Sequence, residues 1–472
     1  MSDPKTQIKF GTDGWRAVIA DTFTFENVGI VAQAAADWIN KNNSQFLLKS
    51  ASVGFDNRFL STEFAQEFAE VFAANGIKTY LSDTSLPTPA LSFGVVNFAS
   101  VCGIMITASH NPAKFNGVKI KTAQGGAASK EITGTVESYL GQTPLKRMNY
   151  KAAVDQGLIV VHDFKKEYVK FLRNYINLKK MKTAKYKVLT DVMHGSGRDL
   201  MRQILKGTDI KLTLMREDVN PGFDGSKPEP IPECLHEIMH RMKTEKFDFG
   251  HVLDGDADRI AAVMPGGEFV SPQKILGLLV LHMARNRHVE GGIVKTLCGT
   301  TMLDNIAKKL NRKLYETPVG FKYITDLMVS EKIVAGGEEA GGMGLPNFIP
   351  ERDGTLAGLL ILEMMVYNKR NFKQLVEDME REFGRYYYSR LDYKFDAKNV
   401  DLNKLKTITS VLGKKVIEVK DYDGVKLICE NEDWLMFRPS GTEPLVRIYS
   451  EAKSAKRSKD ILEFGRQQID PK

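Results

Sequence analysis

The sequence predicts a series of α/β domains followed by a smaller α+β domain. Three segments rich in strand-forming residues, 51–56, 186–191 and 249–254, each end at an aspartate and a turn. Helix-like stretches follow them, among them 61–75 and 198–206. Alternation of strand, turn and helix is typical of parallel sheets covered by helices. Because the pattern recurs along the chain, it indicates related α/β units in series.

The end of the chain follows a different pattern. A connector is predicted at 383–389, and beyond it come short alternating strands at 435–437 and 446–449 and a final helix near 453–468. This mixture is typical of an α+β domain. A chain of 472 residues is also too long for one hydrophobic core. The predicted domains are therefore 1–150, 151–263, 264–380 and 381–472.

The composition is that of an ordinary globular protein, with 43% hydrophobic and 26% charged residues. The net charge of +8 is modest for this length, and the lysines and arginines are scattered rather than grouped with aromatic residues. We therefore expect no nucleic-acid partner. A small acidic substrate suits the same charge.

The cysteines and the apolar segments indicate a cytoplasmic protein. Four dispersed cysteines without a CxxC pair argue against zinc and against a disulfide framework, and favour a reducing compartment. The first residues are polar and lack the apolar stretch of a signal peptide. The apolar runs 275–283 and 355–366 are too short to span a bilayer, so no membrane partner is expected.

A serine and a histidine stand together in the segment 107–112, with Ser109 next to His110. The preceding apolar run 101–106 is typical of a buried strand, so the hydroxyl is expected at the strand's carboxyl end, where open α/β sheets bind ligands. Lys119 follows in the next segment and adds a cationic or proton-handling group. The alternative is that these polar side chains only satisfy turn amides.

Three carboxylates alternate at Asp254, Asp256 and Asp258, directly before Arg259. Alternate side chains of an extended loop share a face, so all three can converge on one ion. Close carboxylates repel one another unless a cation is present. Oxygen-only ligation favours magnesium or another hard divalent cation over zinc. The alternative is a solvated acidic turn.

A phosphate-binding loop is predicted near the C-terminus, where Arg438 is followed by hydroxyls and a glycine. Its members are Arg438, Ser440, Gly441 and Thr442, with Arg447 as a second positive contact. An ordinary Pro/Gly turn is the alternative. The glycine-rich segment 336–342 carries Glu338, a carboxylate suited to sugar hydroxyls, and Arg16 lies on an early loop that could reach a reactive phosphate.

A serine hydroxyl, a hard-cation site and a fixed positive charge are the parts of a phosphoryl-transfer enzyme. One alternative is a phosphohydrolase in which Asp254 is the nucleophile and Asp256 the acid, but that enzyme leaves the segment around Ser109 and the phosphate loop without a role. A second alternative is a non-catalytic sugar-phosphate sensor, in which Ser109 or a metal-loop aspartate would be replaced.

In their order along the chain, the segments 107–112, 254–259, 337–342 and 438–444 resemble the phosphoserine, metal, sugar and phosphate loops of the α-D-phosphohexomutase superfamily. The resemblance spans the whole chain. It implies three similar α/β domains with mixed or parallel sheets and a smaller C-terminal domain, arranged around a central cleft. It also implies interconversion of hexose 1-phosphate and hexose 6-phosphate through a phosphoserine and a hexose 1,6-bisphosphate.

The same resemblance implies roles for individual residues. Ser109 would carry the phosphoryl group and, with Asp254, Asp256 and Asp258, bind one Mg²⁺ per chain. The remaining catalytic residues would be His110 and Lys119 as acid/base candidates and Arg16 and Arg259 beside the phosphoserine. The substrate-binding residues would be Gly320, Lys322, Glu338, Ala340, Arg352, Arg438, Ser440, Gly441, Thr442 and Arg447. Glucose 1,6-bisphosphate would be activator and intermediate, sugar phosphates the only partners, and the protein a monomer or homodimer.

The choice of sugar depends on two loops. The segment 316–322 is similar to the specificity loop of phosphoglucomutases, and the segment 351–353 favours the same group. Ala340 stands where the superfamily usually has a serine that contacts a hydroxyl, and Gly342 stands where mannose- and glucosamine-type enzymes often carry histidine. We expect glucose phosphate as substrate, with mannose phosphate second. A phosphoglucosamine mutase or phosphomannomutase is the alternative within the superfamily.

Overall fold

Four β-sheets, formed one after another along the chain, organise the described part of the computed structural model of this protein. The structure describes residues 8–11, 13–42, 49–395, 400–439 and 445–470. Within these residues, every helix falls short of the length and apolar character needed to cross a membrane.

The first sheet has six strands in the order β1-β5-β4-β2-β3-β6. They are β1 (Trp15–Val18), β2 (Ser50–Phe55), β3 (Lys78–Ser82), β4 (Cys102–Ile106), β5 (Phe115–Thr122) and β6 (Ile159–His162). β2 is parallel to β3 and β4, whereas β5 is antiparallel to β4 and β1. The helices of this part are α1 (Phe25–Asn42), α2 (Ser61–Ala74), α3 (Thr88–Asn97), α4 (Lys130–Tyr139) and α5 (Tyr150–Asp155).

Periodic aromatic residues explain how α2 covers this sheet. Phe64, Phe68 and Phe72 recur every four residues and are buried, so they lie on one face of the helix. They belong to one hydrophobic cluster with Val53 of β2 and Ile104 of β4. Burial of a side chain of this size contributes about 1.5–3 kcal/mol, so the aromatic stripe holds the helix on the sheet that carries the Ser109 segment.

The second sheet has the order β11-β10-β9-β7-β8. Its strands are β7 (Lys187–Asp191), β8 (Lys211–Met215), β9 (Phe249–Leu253), β10 (Ile260–Met264) and β11 (Glu268–Val270). β7 is parallel to β8 and β9, and β10 is antiparallel to β9 and β11. The helices are α6 (Phe164–Tyr175), α7 (Leu178–Met181), α8 (Leu200–Leu205) and α9 (His236–Thr244), with 3₁₀ turns at Phe223–Gly225 and Pro232–Cys234.

The third sheet has the order β13-β12-β14-β15. Its strands are β12 (Gly292–Thr296), β13 (Leu314–Thr317), β14 (Ile333–Gly337) and β15 (Met343–Gly344). β12 is parallel to β13 and β14, and β15 is antiparallel to β14. The helices are α10 (Pro272–Leu281), which continues as a π-helical turn at His282–Asn286, α11 (Thr301–Lys309), α12 (Phe321–Ser330), α13 (Gly354–Asn368) and α14 (Phe372–Phe383).

The fourth sheet is antiparallel, in the order β16-β21-β20-β19-β18-β17. Its strands are β16 (Tyr387–Tyr393), β17 (Ser410–Val411), β18 (Lys414–Lys420), β19 (Val425–Cys429), β20 (Trp434–Pro439) and β21 (Val446–Ala452). Two helices accompany it, α15 (Leu402–Lys406) and α16 (Ala455–Ile469). The predicted connector 383–389 is wrong in its second half, because Tyr387 already pairs with Ala452 in the sheet.

A single hydrophobic cluster joins the three α/β parts of the chain. It includes Leu91 from α3, Val188 from β7 and Leu360 from α13, all fully buried. Helices that are apolar on all sides, such as α13, need such a shared interior. This packing fixes the relative positions of the three sheets and so of the loops at their edges.

The predicted fold class is confirmed: three α/β domains with mixed sheets precede a C-terminal domain. The first sheet extends to β6, beyond the predicted limit at residue 150, because Thr79 of β3 pairs with Ile159. The second sheet likewise includes β11, beyond the predicted limit at 263.

Candidate active site

Ser109 lies directly beyond the carboxyl end of β4, a strand whose five residues are all buried. The residue has a φ of 51°, in the left-handed region that few non-glycine residues adopt. Its backbone N–H donates to Thr107 Oγ1 at 2.8 Å, and that hydroxyl donates to Asp56 Oδ2 at 2.6 Å. Backbone strain held by neighbouring hydrogen bonds is typical of functional positions.

Arg58 supports the same turn from β2's side of the sheet. Its guanidinium donates to the carbonyl oxygens of Ser109 and Asn111 at 2.7 and 2.6 Å, and to two further carbonyls of the segment, those of Pro112 and Phe115, at 3.0 Å each. Asp56 pairs with Arg58 at 3.2 Å. One arginine therefore fixes the backbone around the predicted phosphoserine, a role that the sequence did not indicate.

The side chain of Ser109 meets the metal loop. Its Oγ donates to Asp254 Oδ2 at 3.0 Å and accepts from Arg259 Nη2 at 3.1 Å. Ser109 and Asp254 are both fully buried, and Arg259 is nearly so. The hydroxyl thus has a carboxylate on one side and a fixed cation on the other, so the segments 107–112 and 254–259 meet in the structure.

The three aspartates of the metal loop converge after the buried strand β9. One oxygen from each of Asp254, Asp256 and Asp258 lies within 4.8 Å of the other two. Oδ1 of Asp256 and Oδ1 of Asp258 are buried without a hydrogen-bond partner among the described residues. Burial, together with Asp258 and Asp256, raises the pKa of Asp254 well above its ordinary value. Unpartnered carboxylate oxygens in a crowded acidic cluster fit a hard divalent cation.

Lys119 projects from β5 into this acidic cluster. Its Nζ lies 2.7 Å from Asp256 Oδ2, 2.9 Å from Asp258 Oδ2 and 2.9 Å from Asp13 Oδ2. Burial alone would disfavour the ammonium, but Asp13, Asp256 and Asp258 outweigh it and raise the pKa of Lys119. The lysine is therefore charged in this arrangement.

His110 is held in its neutral form beside Ser109. Burial, followed by Arg259 and the other nearby cations, lowers the pKa of His110 well below its ordinary value. A guanidinium only donates, so Nδ1 of His110 accepts from Arg259 Nη2 and the ring proton lies on Nε2. That nitrogen lies 4.0 Å from Glu229 Oε1.

Arg16 reaches the same region from β1, the edge strand that pairs with β5. β1 pairs with β5 so that Arg16 stands opposite Gly117. Its Nη1 donates to Asn111 Oδ1 at 2.8 Å, and its Nη2 lies 3.5 Å from Asp13 Oδ2. Arg16 therefore lies beside the segment 107–112, which it contacts at Asn111.

Arg352 joins the metal loop to the sugar loop. Its Nη2 donates to Asp258 Oδ2 at 2.6 Å and to Asp13 Oδ2 at 2.7 Å, and its Nη1 donates to Glu338 Oε2 at 3.4 Å. Burial raises the pKa of Glu338 to about 7 in spite of this arginine. Ala340 belongs to the same loop, whose Gly341 carbonyl accepts from Ile260 N at 3.0 Å.

An internal ion pair fixes the segment that carries Arg352. Lys121 of β5 and Glu351 are both completely buried and bonded to each other. The second carboxylate oxygen of Glu351 accepts from the backbone N–H of Arg352 at 2.9 Å. Asp13, Lys121 and Glu351 were absent from the predicted site, because a lone charged residue in a strand or loop carries no local signal.

The other predicted residues that the structure describes lie where the third domain meets the fourth sheet. Arg438 on β20 stands opposite Arg447 on β21. Arg438 pairs with Asp423, which also accepts from the backbone N–H of Val319, next to Gly320. Lys322 lies just beyond, at the start of α12. Ser440, Gly441 and Thr442 lie outside the described residues.

Models of one protein family match four consecutive parts of the chain. The matched descriptions are "Phosphoglucomutase/phosphomannomutase", alpha/beta/alpha domain I at residues 7–146, domain II at 166–267, domain III at 271–383 and the C-terminal domain at 393–467. Together these models cover most of the sequence, and each contains one of the four predicted loops.

Similar proteins match over nearly the whole length. A phosphoglucomutase/phosphomannomutase of Thermococcus kodakarensis is 27% identical over 457 residues, 97% of each chain. A phosphoglucomutase of Komagataeibacter xylinus is 28% identical over 96% of this chain and 89% of its own. A crystal structure described as that of a phosphomannomutase from Thermus thermophilus is 32% identical, covers 100% of both chains and has a TM-score of 0.88. The chain therefore belongs to the phosphoglucomutase/phosphomannomutase family of the α-D-phosphohexomutase superfamily, and it is a phosphohexomutase.

Proposed function

We propose that this enzyme interconverts hexose 1-phosphate and hexose 6-phosphate through a phosphorylated Ser109 and a hexose 1,6-bisphosphate. The contact of Ser109 Oγ with Asp254 and Arg259 carries the proposal. An oxygen that stores a phosphoryl group needs cations to neutralise the charge of transfer. Arg259 supplies a fixed one, and the aspartates of the metal loop supply the site for another.

In the first half of the cycle the bond between phosphorus and Ser109 Oγ breaks while a bond to the free sugar hydroxyl forms. The hydroxyl's proton passes to the neutral His110, and the departing serine oxygen takes up a proton in the same half, for which the charged Lys119 is the second acid/base candidate; both proton transfers run in the opposite direction when the serine is phosphorylated again. In the second half the other phosphoryl group of the bisphosphate returns to Ser109. Atoms balance over the cycle, because each half transfers one PO₃ unit.

Mg²⁺ bound by Asp254, Asp256, Asp258 and the oxygen of Ser109 would supply Lewis-acid neutralisation of the transferring group. Arg259 and Arg16 are proposed to hold the phosphoryl oxygens from the protein's side. Glu338 would accept hydrogen bonds from sugar hydroxyls, and Arg438 would hold the phosphate that is not reacting, together with Ser440, Gly441, Thr442 and Arg447.

We propose glucose phosphate as the preferred substrate and mannose phosphate as the second. The support is the loop 316–322 and the pair Glu338 and Glu339, which resemble phosphoglucomutases. Ala340 lacks the hydroxyl that usually contacts the sugar, so discrimination between epimers is expected to be loose. Turnover on glucose 1-phosphate, mannose 1-phosphate and glucosamine 1-phosphate tests this choice, and a preference for the glucosamine compound would overturn it.

Trapping the phosphoenzyme tests the mechanism itself. The enzyme is incubated with labelled glucose 1,6-bisphosphate, quenched, digested and mapped. An acid-stable phosphate on the peptide of Ser109 is the expected result. An acid-labile acyl phosphate on Asp254 would instead identify the phosphohydrolase, in which that aspartate is the nucleophile. The contacts of Asp254 disfavour this outcome, because its Oδ1 accepts from the backbone N–H groups of Asp258 and Arg259 at 3.1 and 3.2 Å.

A further inference from the structure

The turn 420–424, which leads from the last residue of β18 to β19, contacts the predicted specificity loop 316–322. Asp423 belongs to this turn. One carboxylate oxygen, Oδ2, accepts from the backbone N–H of Val319 at 2.7 Å. Both oxygens accept from Nε of Arg438, at 3.1 and 3.0 Å. The side chain of Asp423 therefore connects the specificity loop of the third domain with Arg438 of the C-terminal domain, the arginine proposed to bind phosphate.

Glu316 holds the other end of the same loop. It accepts from Lys420 Nζ and from the hydroxyl of Tyr422, each at 2.8 Å. Although burial opposes ionisation, Lys295 and the other nearby donors lower the pKa of Glu316. The specificity loop is thus fastened to the turn 420–424 at two points by charge-assisted hydrogen bonds, which are the stronger kind.

The residue after Asp423, Gly424, fixes the backbone of the turn. Gly424 has a φ of 98°, and a Cβ there would lie 2.2 Å from the carbonyl oxygen of Phe437 and 3.2 Å from the Cα of Arg438. Only glycine allows this approach. Val425 then pairs with Phe437 in the sheet, so the turn is pressed against the strand that bears Arg438.

The contact between Asp423 and Arg438 uses Nε, not the outer nitrogens of the guanidinium. A guanidinium held through Nε keeps a fixed plane, and its Nη1–Nη2 edge has the geometry to bind a phosphate with two parallel hydrogen bonds. The side chains of Asp423 and Arg438 are about four-fifths buried, at 20% and 21% exposure, so the pair is partly shielded from water.

We propose that Asp423 is a positioning residue that orients Arg438 for the non-reacting phosphate and couples this phosphate to the specificity loop through Val319. This inference rests on the proposed function, in which Arg438 binds phosphate. Because one carboxylate serves both contacts, weakening it loosens phosphate and sugar recognition together. Phosphoryl transfer from Ser109 is unaffected once the substrate is bound.

The test compares Asp423→Ala with Asp421→Ala. Asp421 lies on the same turn, but its carboxylate is 55% exposed and pairs with Lys406 at 2.7 Å, so it is a matched control. Loss of two charge-assisted hydrogen bonds should raise KM for glucose 1-phosphate about ten-fold or more in Asp423→Ala, with kcat changed less than about two-fold. Asp421→Ala should match the wild type. An equal KM in both variants would overturn the proposal.

Amide hydrogen exchange supplies a second reading that does not depend on turnover. The amide of Val319 should exchange faster in Asp423→Ala than in the wild type, and Asp423→Asn, which retains an acceptor oxygen, should restore part of its protection. Unchanged exchange at Val319 in Asp423→Ala would overturn the coupling. If alanine disturbs the turn, the asparagine variant still tests the contact with Val319, because asparagine has nearly the same shape as aspartate.

Arg438→Ala separates this proposal from the proposed function. If Arg438→Ala raises KM while Asp423→Ala does not, Arg438 binds phosphate without help from Asp423, and the positioning role is overturned alone. If neither variant changes KM, the phosphate role of Arg438 is overturned with it. If both single variants raise KM, and the double variant raises it by less than the product of the two single effects, Asp423 and Arg438 act together on the phosphate.

Discussion

The hydroxyl of Ser109 lies 3.0 Å from a carboxylate oxygen of Asp254, across 145 residues of sequence. The two residues follow buried strands of different sheets, β4 and β9. Their contact places a hydroxyl, a carboxylate and the guanidinium of Arg259 within hydrogen-bonding distance of one another. Two strand-end loops of separate domains therefore meet at one candidate site.

Replacement of Ser109 tests whether this hydroxyl carries the phosphoryl group. Ser109→Ala should still bind glucose 1-phosphate in calorimetry, because the substrate-binding residues remain, but turnover should fall at least about 10⁴-fold, as for loss of other enzyme nucleophiles. Ser92→Ala is the control, since Ser92 is buried and its hydroxyl has no partner among the described residues. Wild-type turnover in Ser109→Ala would exclude the serine as carrier.

Removal of a metal-loop carboxylate tests the cation site without reference to activity. In wild-type protein Mg²⁺ should bind with a measurable heat and raise the thermal midpoint, because binding to the folded state alone stabilises it. Asp256→Asn removes one of the carboxylates with an unpartnered oxygen and should weaken Mg²⁺ binding about ten-fold or more, the loss of at least one ligand interaction. Asp224→Asn, an exposed carboxylate outside the cluster, should bind Mg²⁺ as the wild type does. Equal affinities in the two variants would argue against the site.

The strand-end positions of Ser109 and Asp254 could be predicted from the sequence, but the partner of each strand-end aspartate could not. Asp56, Asp191 and Asp254 all follow the same strand pattern, yet they differ in function. Asp56 binds Arg58 and Thr107, Asp191 pairs with Arg216, and Asp254 contacts Ser109. Parallel strands bring their carboxyl ends to one edge, whereas the partner met there depends on how the domains pack.

Asp13 and Lys121, which the sequence did not indicate, have partners in another domain. Asp13 accepts a 2.7 Å hydrogen bond from Arg352, 339 residues away, and Lys121 pairs with Glu351. Such contacts have no local periodicity and no motif, since each partner alone is an ordinary charged residue. They follow from the common hydrophobic core, which fixes the sheets relative to one another.

Substitution of Gly342 tests whether Arg352 fills the space that a side chain at position 342 would need. A Cβ at this position would lie 2.2 Å from Cδ of Arg352 and 3.0 Å from Oε2 of Glu338. Gly342→Ala should therefore displace the arginine and lower kcat/KM about ten-fold, as expected for loss of one charge-assisted hydrogen bond. The ratio of glucose 1-phosphate to mannose 1-phosphate turnover should change as well, because Glu338 loses its partner.

The control for Gly342 is another glycine with room for a methyl group. Gly134 lies within α4, and a Cβ there would meet nothing within 4 Å. Gly134→Ala should leave kcat/KM unchanged and stabilise the helix by up to about 1 kcal/mol. Equal kinetics in Gly342→Ala and the wild type would show that Arg352 adapts to the methyl group without cost.

His251 gives the strand before the metal loop a predictable dependence on pH. The side chain is fully buried, and its Nε2 donates to the carbonyl oxygen of Gly354 at 3.1 Å, which links β9 to the start of α13. Burial lowers the pKa of His251 to about 4, from an ordinary value of about 6.5 in the unfolded chain. Between these two values the unfolded chain binds the proton and the folded protein does not.

The sign of the effect follows from this difference in proton binding. Above pH 6.5 His251 is neutral in both the folded and the unfolded protein, so its contribution to the free energy of unfolding is fully present. As the pH falls from about 6.5 towards 4, the free energy of unfolding decreases by about 3 kcal/mol in total. The urea midpoint of wild-type protein should therefore fall between pH 7 and pH 5 by more than that of His251→Gln, which cannot titrate. His240→Gln, at an exposed position of α9, should behave as the wild type. If His251→Gln and the wild type lost equal stability between the two pH values, protonation of His251 would not oppose folding.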